Sequence, residues 1–404
     1  MKLLHTADWH LGRTLNGFSL LEEQRFAFNQ ILEIAKTHAV DGIVIAGDLY
    51  DRSVAPVDAV TEFNDMLKQI VIHVGIPVYA ISGNHDGAKR LSFGHDFFKN
   101  SNFHLHTTIK DALTPIETDD AQLFLLPFLD PMDVRVYYGQ VVGEDAETIA
   151  SYGQIGDGIK RLIADMKAQF NPNKCQILVT HFAVSKKGDD EGAKLKENMH
   201  SETLSTVGGL AQITSDLFDG FDYVALGHIH THKASPTKRV AYSGSPVIFN
   251  TREAKMKQSK GVYIVDVSCD DVQKTFVPLE IQKELVVIEE SFKTVTTPEF
   301  YEQQPCKKAW FSFQLTDYNR KEMAGINVRA RLEQIYGEDI VELTFKEHSN
   351  TNNNSAIGAK RQILKTLPEG VVADFYESTT QTKLTNYQRD IVSNIIQNIR
   401  KEVG

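Results

Sequence analysis

Five short motifs, each at the end of a short apolar run, constrain what this chain can fold into. The runs are Lys2–Thr6, Gly42–Ala46, Val78–Ser82, Gln176–Val179 and Tyr223–Leu226, all of strand length. They deliver Asp8-Trp9-His10, Gly47-Asp48-Leu49-Tyr50-Asp51, Gly83-Asn84-His85-Asp86, Thr180-His181 and Gly227-His228-Ile229-His230. A strand that ends in a polar ligand is a rigid mount, and open sheets bind ligands outside the carboxyl ends of their strands. Five such mounts predict one cleft lined by acids, an amide and imidazoles.

Helical stretches alternate with these strands over the first ~280 residues, as α/β layers require. Leu20–Thr37 carries Phe26, Ile31, Ile34 and Ala35 on one stripe, and Val57–Ile72 carries Val57, Val60, Phe63, Met66, Leu67, Ile70 and Val71 at three-and-four spacing. The second stripe is wide enough to serve a partner subunit as well as the core. Beyond Gln282 the chemistry-bearing residues stop. A small α+β unit is expected there, with strands at Trp310–Leu315 and Val341–Phe345, a helix at Arg329–Ile335 and a loop at Ser349–Ser355. A final amphipathic helix, Leu384–Glu402, can be capped by Thr385 and repeats Tyr387, Ile391, Ile395 and Ile399. Its stripe either packs back on its own domain or docks on a partner.

At 404 residues with 24% charged side chains, the chain reads as a globular protein of two or three domains. No apolar run approaches the roughly 20 residues that span a bilayer. His5 and Asp8 come too early to leave room for a signal peptide. Cys175, Cys269 and Cys306 are scattered, odd in number and free of CxxC spacing, which predicts neither a disulfide framework nor a zinc-thiolate site. A reducing, cytoplasmic setting follows as the expectation. The net charge of −10 argues mildly against nucleic acid as a partner. It hides a basic run after the last motif, Lys233, Lys238, Arg239, Arg252, Lys255, Lys257 and Lys260 against the single acid Glu253. That run is either a rim for a polyanion or a solvated loop. The mixed-charge stretch Ser185–Met199 has the same ambiguity.

The motif chemistry suits a pair of divalent ions about 3.5–4 Å apart, which can hydrolyse a phosphoester. Asp48 is the natural bridge, because its two oxygens can each face one ion. Asp8, His10 and His230 can complete one ion, and Asn84, His181 and His228 the other. Oxygen and nitrogen donors without thiolate suit manganese, iron or zinc. His85 need not be a ligand, and can stabilise the transition state or protonate the leaving oxygen. Asp51 can orient His85, and Asp86 can hydrogen-bond a neighbouring ligand. The other histidines read as surface or core residues, His232 included.

This motif set resembles the calcineurin-like metallophosphoesterase superfamily. The stretches His5–Gly12, Ala46–Asp51, Ala225–His230 and Ser243–Pro246 resemble its SbcD branch, the nuclease subunits of bacterial SbcCD complexes, related to Mre-type nucleases. The resemblance covers essentially the whole chain. It implies an α/β metallophosphoesterase β-sandwich flanked by helices over 1–280, a smaller α+β capping domain over 281–378 and a C-terminal helical segment over 379–404. It implies manganese-dependent exonuclease and endonuclease activity on DNA ends and hairpins, the seven metal ligands named above, and His85 as the catalytic histidine. It implies a homodimer through Val57–Ile72, inside a heterotetramer with an SbcC-type ABC ATPase bound by Leu384–Glu402. Arg13, Lys233, Lys238, Arg239, Arg252 and Lys255 are the candidate DNA contacts. Bacterial members of the branch commonly carry the aspartate found here at 51, where archaeal and eukaryotic relatives place a histidine. A phosphatase or cyclic-nucleotide phosphodiesterase on the same site is the competing expectation.

Overall fold

The computed structural model describes residues 1–188, 213–269, 271–318, 325–347, 372, 376 and 382–393. The expected loops at Ser349–Ser355 and, from 189 on, Ser185–Met199 lie outside them. Two sheets carry all five motif strands. The first runs in the order Val272–Pro278, Gly261–Val267, Lys2–Thr6, Gly42–Ile45, Val78–Ile81, Phe103–His106. Its last four strands are parallel, and the two at the other edge add antiparallel. The second runs Val240–Tyr242, Tyr223–Leu226, Cys175–Thr180, Ala121–Leu126, Ile116–Glu117, parallel except for the last.

Parallel strands need helical crossovers that cover the sheet faces, so their residues are apolar on both sides. The strand period of two then sorts each run into two cores. Leu3, Val44, Tyr79 and Ile81 face Leu123, Ile177, Val179 and Tyr223 between the sheets. Leu4, Ile43, Ile45 and Ala80 point outward onto Phe28 and Ile31 of helix Leu21–Thr37, and onto Phe63, Met66 and Ile70. Phe124, Leu178 and Val224 of the second sheet pack on Ile159, Leu162, Ile163 and Met166 of helix Ile155–Lys167. The helix–sheet–sheet–helix stack leaves the carboxyl ends of five parallel strands along one rim.

The Val57–Ile72 stretch departs from a plain α-helix. It is α-helical over Val57–Leu67 and widens to a π-helix over Lys68–Val74. The wider turn is closed by amides of Gly75 and Ile76 donating to the carbonyl of Ile70 at 2.9 and 3.1 Å. It turns Ile70 fully into the core and leaves Ile72 69% exposed. Val54, Val57 and Val60 are also exposed, so the wide stripe divides into a buried half and a solvent-facing half.

The chain separates into two compact units. One comprises Met1–Ile288, Pro298–Phe313 and Arg329–Leu343, and the other Glu289–Thr297, Gln314–Val328 and the described residues from Thr344 onward. Strands Leu285–Glu290, Trp310–Tyr318 and Ile340–Glu347 form a three-stranded sheet in that order. Near the end of the chain, Thr385 Oγ1 accepts from the Gln388 amide and Gln388 Oε1 accepts from the Thr385 amide, a reciprocal cap on the helix over 386–393. Among the described residues, no helix is long and apolar enough to cross a membrane.

Candidate metal centre

The loops that follow the first two motif strands are zipped to each other. The amides of Asp8, His10 and Leu11 donate to the carbonyls of Gly47, Asp48 and Leu49 at 3.1, 2.9 and 3.0 Å. Asp8, His10, Asp48 and His228 all adopt positive φ, at 53°, 45°, 50° and 92°. Each such residue costs about 1–3 kcal/mol and persists only where its surroundings over-determine it. Gln24 does this for one loop, its Nε2 donating to the carbonyls of Trp9 and His10 at 2.9 and 2.7 Å. Asp86 does it for the other: its carboxylate accepts from the amides of Gly83, Leu49 and Tyr50 at 2.9–3.0 Å. Asp86 thus holds main chain rather than a ligand side chain. Burial and then the charge of Asp48 push it up to about 7, against the pull of those amides. Gly83 and Gly227 are needed for closeness. A Cβ on Gly83 would run into Asp48 Oδ1, and one on Gly227 into the carbonyl of Ala46.

The motif side chains meet at the rim. His10 Nε2 and His230 Nε2 are 3.1 Å apart, and Asp48 Oδ2 lies 3.5 Å from His10 Nε2 and 3.2 Å from His181 Nε2. Asn84 Oδ1 lies 3.0 Å from His181 Nε2 and 2.9 Å from His228 Nδ1. Asp8 Oδ1 accepts from the His228 amide at 2.9 Å. Asp8, His10 and His230 offer ligand atoms within 4.8 Å of one another, as do Asp8, Asp48 and His181.

The donor set fits divalent metal. His181 Nδ1–H donates to the Ala46 carbonyl at 2.7 Å and His230 Nδ1–H to Glu253 Oε1 at 3.0 Å, so both rings turn Nε2 to the rim, the atom that would ligate once free of a proton. Two imidazole nitrogens facing each other at 3.1 Å are stable only around a proton or a cation. Among the described residues, Asp8 Oδ2 and His228 Nε2 are buried without a hydrogen-bond partner, a costly condition that ligation or a bound water relieves. Burial holds His10 well below its ordinary range and His228 down to about 3, which keeps both lone pairs available. Burial would depress His181 too, but Asp48 and Asp8 raise it to about 9. Burial likewise opposes the charge of Asp48, yet His181 and His10 hold its carboxyl well below the usual range.

His85 stands at the open edge, half-buried, its ring 4.7 Å from that of His10. Its amide donates to Asp48 Oδ1 at 2.9 Å, and Nδ1–H donates to the main-chain carbonyl of Asp51 at 2.8 Å. Asp51 therefore orients His85 through its backbone. Its carboxylate instead accepts from Arg13 at 3.0 Å. Arg13 is 8% exposed and lies over Phe249, so its guanidinium is committed within the protein. Lys233, Lys238, Arg239, Arg252, Lys255 and Lys257 are exposed, while Lys260 leaves the basic run: it is buried and pairs with Glu253 at 2.7 Å. His232 stacks on Phe276 at 3.9 Å.

Sequence reading missed Gln24, Glu253 and Arg52. Glu253 left a trace as the single acid in a basic run. Arg52, 57% exposed and 3.6 Å from Asp51, adds a cation beside the Asp51 carboxylate. Gln24 left no trace, being one polar residue on an apolar helix face.

The profile of the calcineurin-like phosphoesterase family matches residues 1–232. The SbcD chain of the nuclease SbcCD from Staphylococcus epidermidis (strain ATCC 12228 / FDA PCI 1200) is 31% identical over 405 residues, covering 100% of each chain. The chain belongs to the SbcD family of calcineurin-like phosphoesterases. As a member it is a hydrolase of phosphodiester bonds that depends on divalent metal, and the convergent carboxylates, amide and imidazoles are its candidate ligands.

Proposed function

We propose that the protein is a manganese-dependent DNA exonuclease and endonuclease that processes double-strand ends and hairpins with an SbcC-type ABC ATPase. The observation that carries the reading is the convergence of seven donors beside a half-buried imidazole that, among the described residues, is hydrogen-bonded through Nδ1 and its own amide. Asp8, His10 and His230 would hold one ion and Asn84, His181 and His228 the other, with Asp48 the carboxylate available to both. When bound, the pair neutralises phosphoryl charge and activates water. Asn84 ligates without adding negative charge, which favours a phosphate. The Asp51 carbonyl keeps one proton on His85 Nδ1, so Nε2 can take up a second and, as imidazolium, give it to the departing oxygen.

A DNA backbone is favoured over a small ester by the six exposed cations from Lys233 to Lys257, joined by Arg52. The exposed half of the Val57–Ile72 stripe supports a homodimer. Tyr387 and Ile391, 75% and 41% exposed on the last described helix, support docking of an ATPase inside a heterotetramer. In this layout, 1–280 is the nuclease domain, 281–378 the cap and 379–404 the docking segment of a cytoplasmic complex.

The test is cleavage of end-labelled duplex DNA with Mn2+, beside bis-p-nitrophenyl phosphate, with His85→Ala as control. Duplex cleavage that His85→Ala abolishes is the expected result. Turnover of the small ester with no DNA cleavage, even with the ATPase added, would overturn the substrate in favour of a phosphatase or cyclic-nucleotide phosphodiesterase.

A further inference from the structure

Scattered spacing predicts no cysteine pairing, yet the fold brings two of the three together. Cys175 opens the strand Cys175–Thr180 of the second sheet. Cys269 sits in the hairpin turn between Gly261–Val267 and Val272–Pro278 of the first. The two Sγ atoms and a carboxylate oxygen of Asp222 lie within 4.8 Å of one another, and the thiols hydrogen-bond. The frame around them is fixed. Ser268 Oγ accepts from the Asp271 amide at 3.1 Å, and Asp222 Oδ2 accepts from the Gln176 amide at 2.7 Å. Cys175 is buried in the core between the sheets with Val267 and Val272, whereas Cys269 is exposed.

An exposed thiol beside a buried one is the arrangement of an attacking and a resolving cysteine. We propose that Cys175 and Cys269 form a reversible disulfide that staples the two sheets when the protein meets a small-molecule disulfide oxidant such as oxidised glutathione. Cys269 reacts first, because it alone is accessible. Its thiolate attacks one glutathione sulfur, giving a mixed disulfide and one glutathione thiol. Cys175 then attacks Cys269 Sγ and gives its proton to the departing glutathione sulfur, releasing the second glutathione as a thiol. Two protein thiols are oxidised and one glutathione disulfide is reduced to two thiols. Burial, then Cys269 and Asp222, push the Cys175 thiol up to about 12, so Cys175 does not compete with Cys269 for the first attack. The closed loop runs from 175 to 269 and carries His181, His228 and His230. Constraining so long a loop in the unfolded chain stabilises the folded one.

The experiment treats the full-length protein with oxidised glutathione, alkylates the remaining thiols and maps peptide masses. The expected product has one alkylated cysteine, Cys306, a Cys175–Cys269 cross-link, and a melting temperature several degrees higher that dithiothreitol reverses. Cys175→Ala should stop at the glutathione adduct on Cys269. Wild-type protein that also stops at the adduct overturns the proposal. So does a cross-link that leaves the melting temperature unchanged, or a zinc ion bound one-to-one that needs both cysteines, which would make the cluster a metal site. The wild-type measurements stand even where the variant folds poorly.

Discussion

Replacing Glu253 by glutamine separates two jobs that one carboxylate performs. Its Oε1 accepts from His230 at 3.0 Å and its Oε2 from Lys260 at 2.7 Å. Both side chains of the pair are 5% exposed. The amide that replaces the carboxylate accepts through its one oxygen and turns N–H toward the other donor. Leaving the Lys260 ammonium buried and uncompensated costs about 3–5 kcal/mol. Loosening the His230 tautomer costs about 10- to 100-fold in metal affinity, by analogy with other partners of ligating histidines. The two effects come apart in Glu253→Gln combined with Lys260→Met. Removing the orphaned charge should restore most of the stability, while metal affinity stays at the level of the single variant. Thermal unfolding in chelator reads the first effect, and Mn2+ titration calorimetry the second. Wild-type affinity in Glu253→Gln would refute the role at His230, and a double variant as unstable as the single would refute the buried-charge argument.

Asp51→Asn should cost less than about tenfold in kcat, because His85 is held by the carbonyl at 51, whereas His85→Ala should cost about 10²- to 10⁴-fold with both metals retained by elemental analysis. Equal losses would place the Asp51 carboxylate in the chemistry. A divalent ion must displace the proton that Asp48 and Asp8, against burial, hold on His181 to about pH 9. Mn2+ affinity should therefore strengthen about tenfold per pH unit from about pH 6.5 to about 8.5, with one proton released, measured by calorimetry in buffers of different ionisation enthalpy. A flat affinity would contradict that protonation state. Deleting Leu384–Gly404 should leave basal duplex cleavage unchanged and abolish co-purification with the ATPase; retained co-purification would mean the helix only packs internally.

The motif strands were legible because their apolar runs are bounded by glycine and ligand residues on one rim. The runs match the strands to within a residue or so, from Lys2–Thr6 to Tyr223–Leu226. What periodicity could not give was the widened turn at Lys68–Val74, since i+3/i+4 counting cannot tell a π-turn from α-helix. Nor could it give Glu253, whose meaning depends on the fold bringing residue 253 to residue 230. Lys260 misleads for the same reason: sequence counts its charge, and only the fold shows that Glu253 neutralises it. Asp51 points to a side-chain role when read from sequence, because a motif displays side chains and hides carbonyls. The Cys175–Cys269 approach was invisible because it joins two sheets.

The left-handed backbone at Asp8, His10, Asp48 and His228 also bears on how such a gene would decay. Glycine sits in that conformation with less strain than aspartate or histidine, and it would remove a buried charge or a buried imidazole. A copy released from its task would therefore gain stability by losing its metal site first, and drift would erode chemistry before it eroded fold. A chain that still carries all four residues has been held uphill.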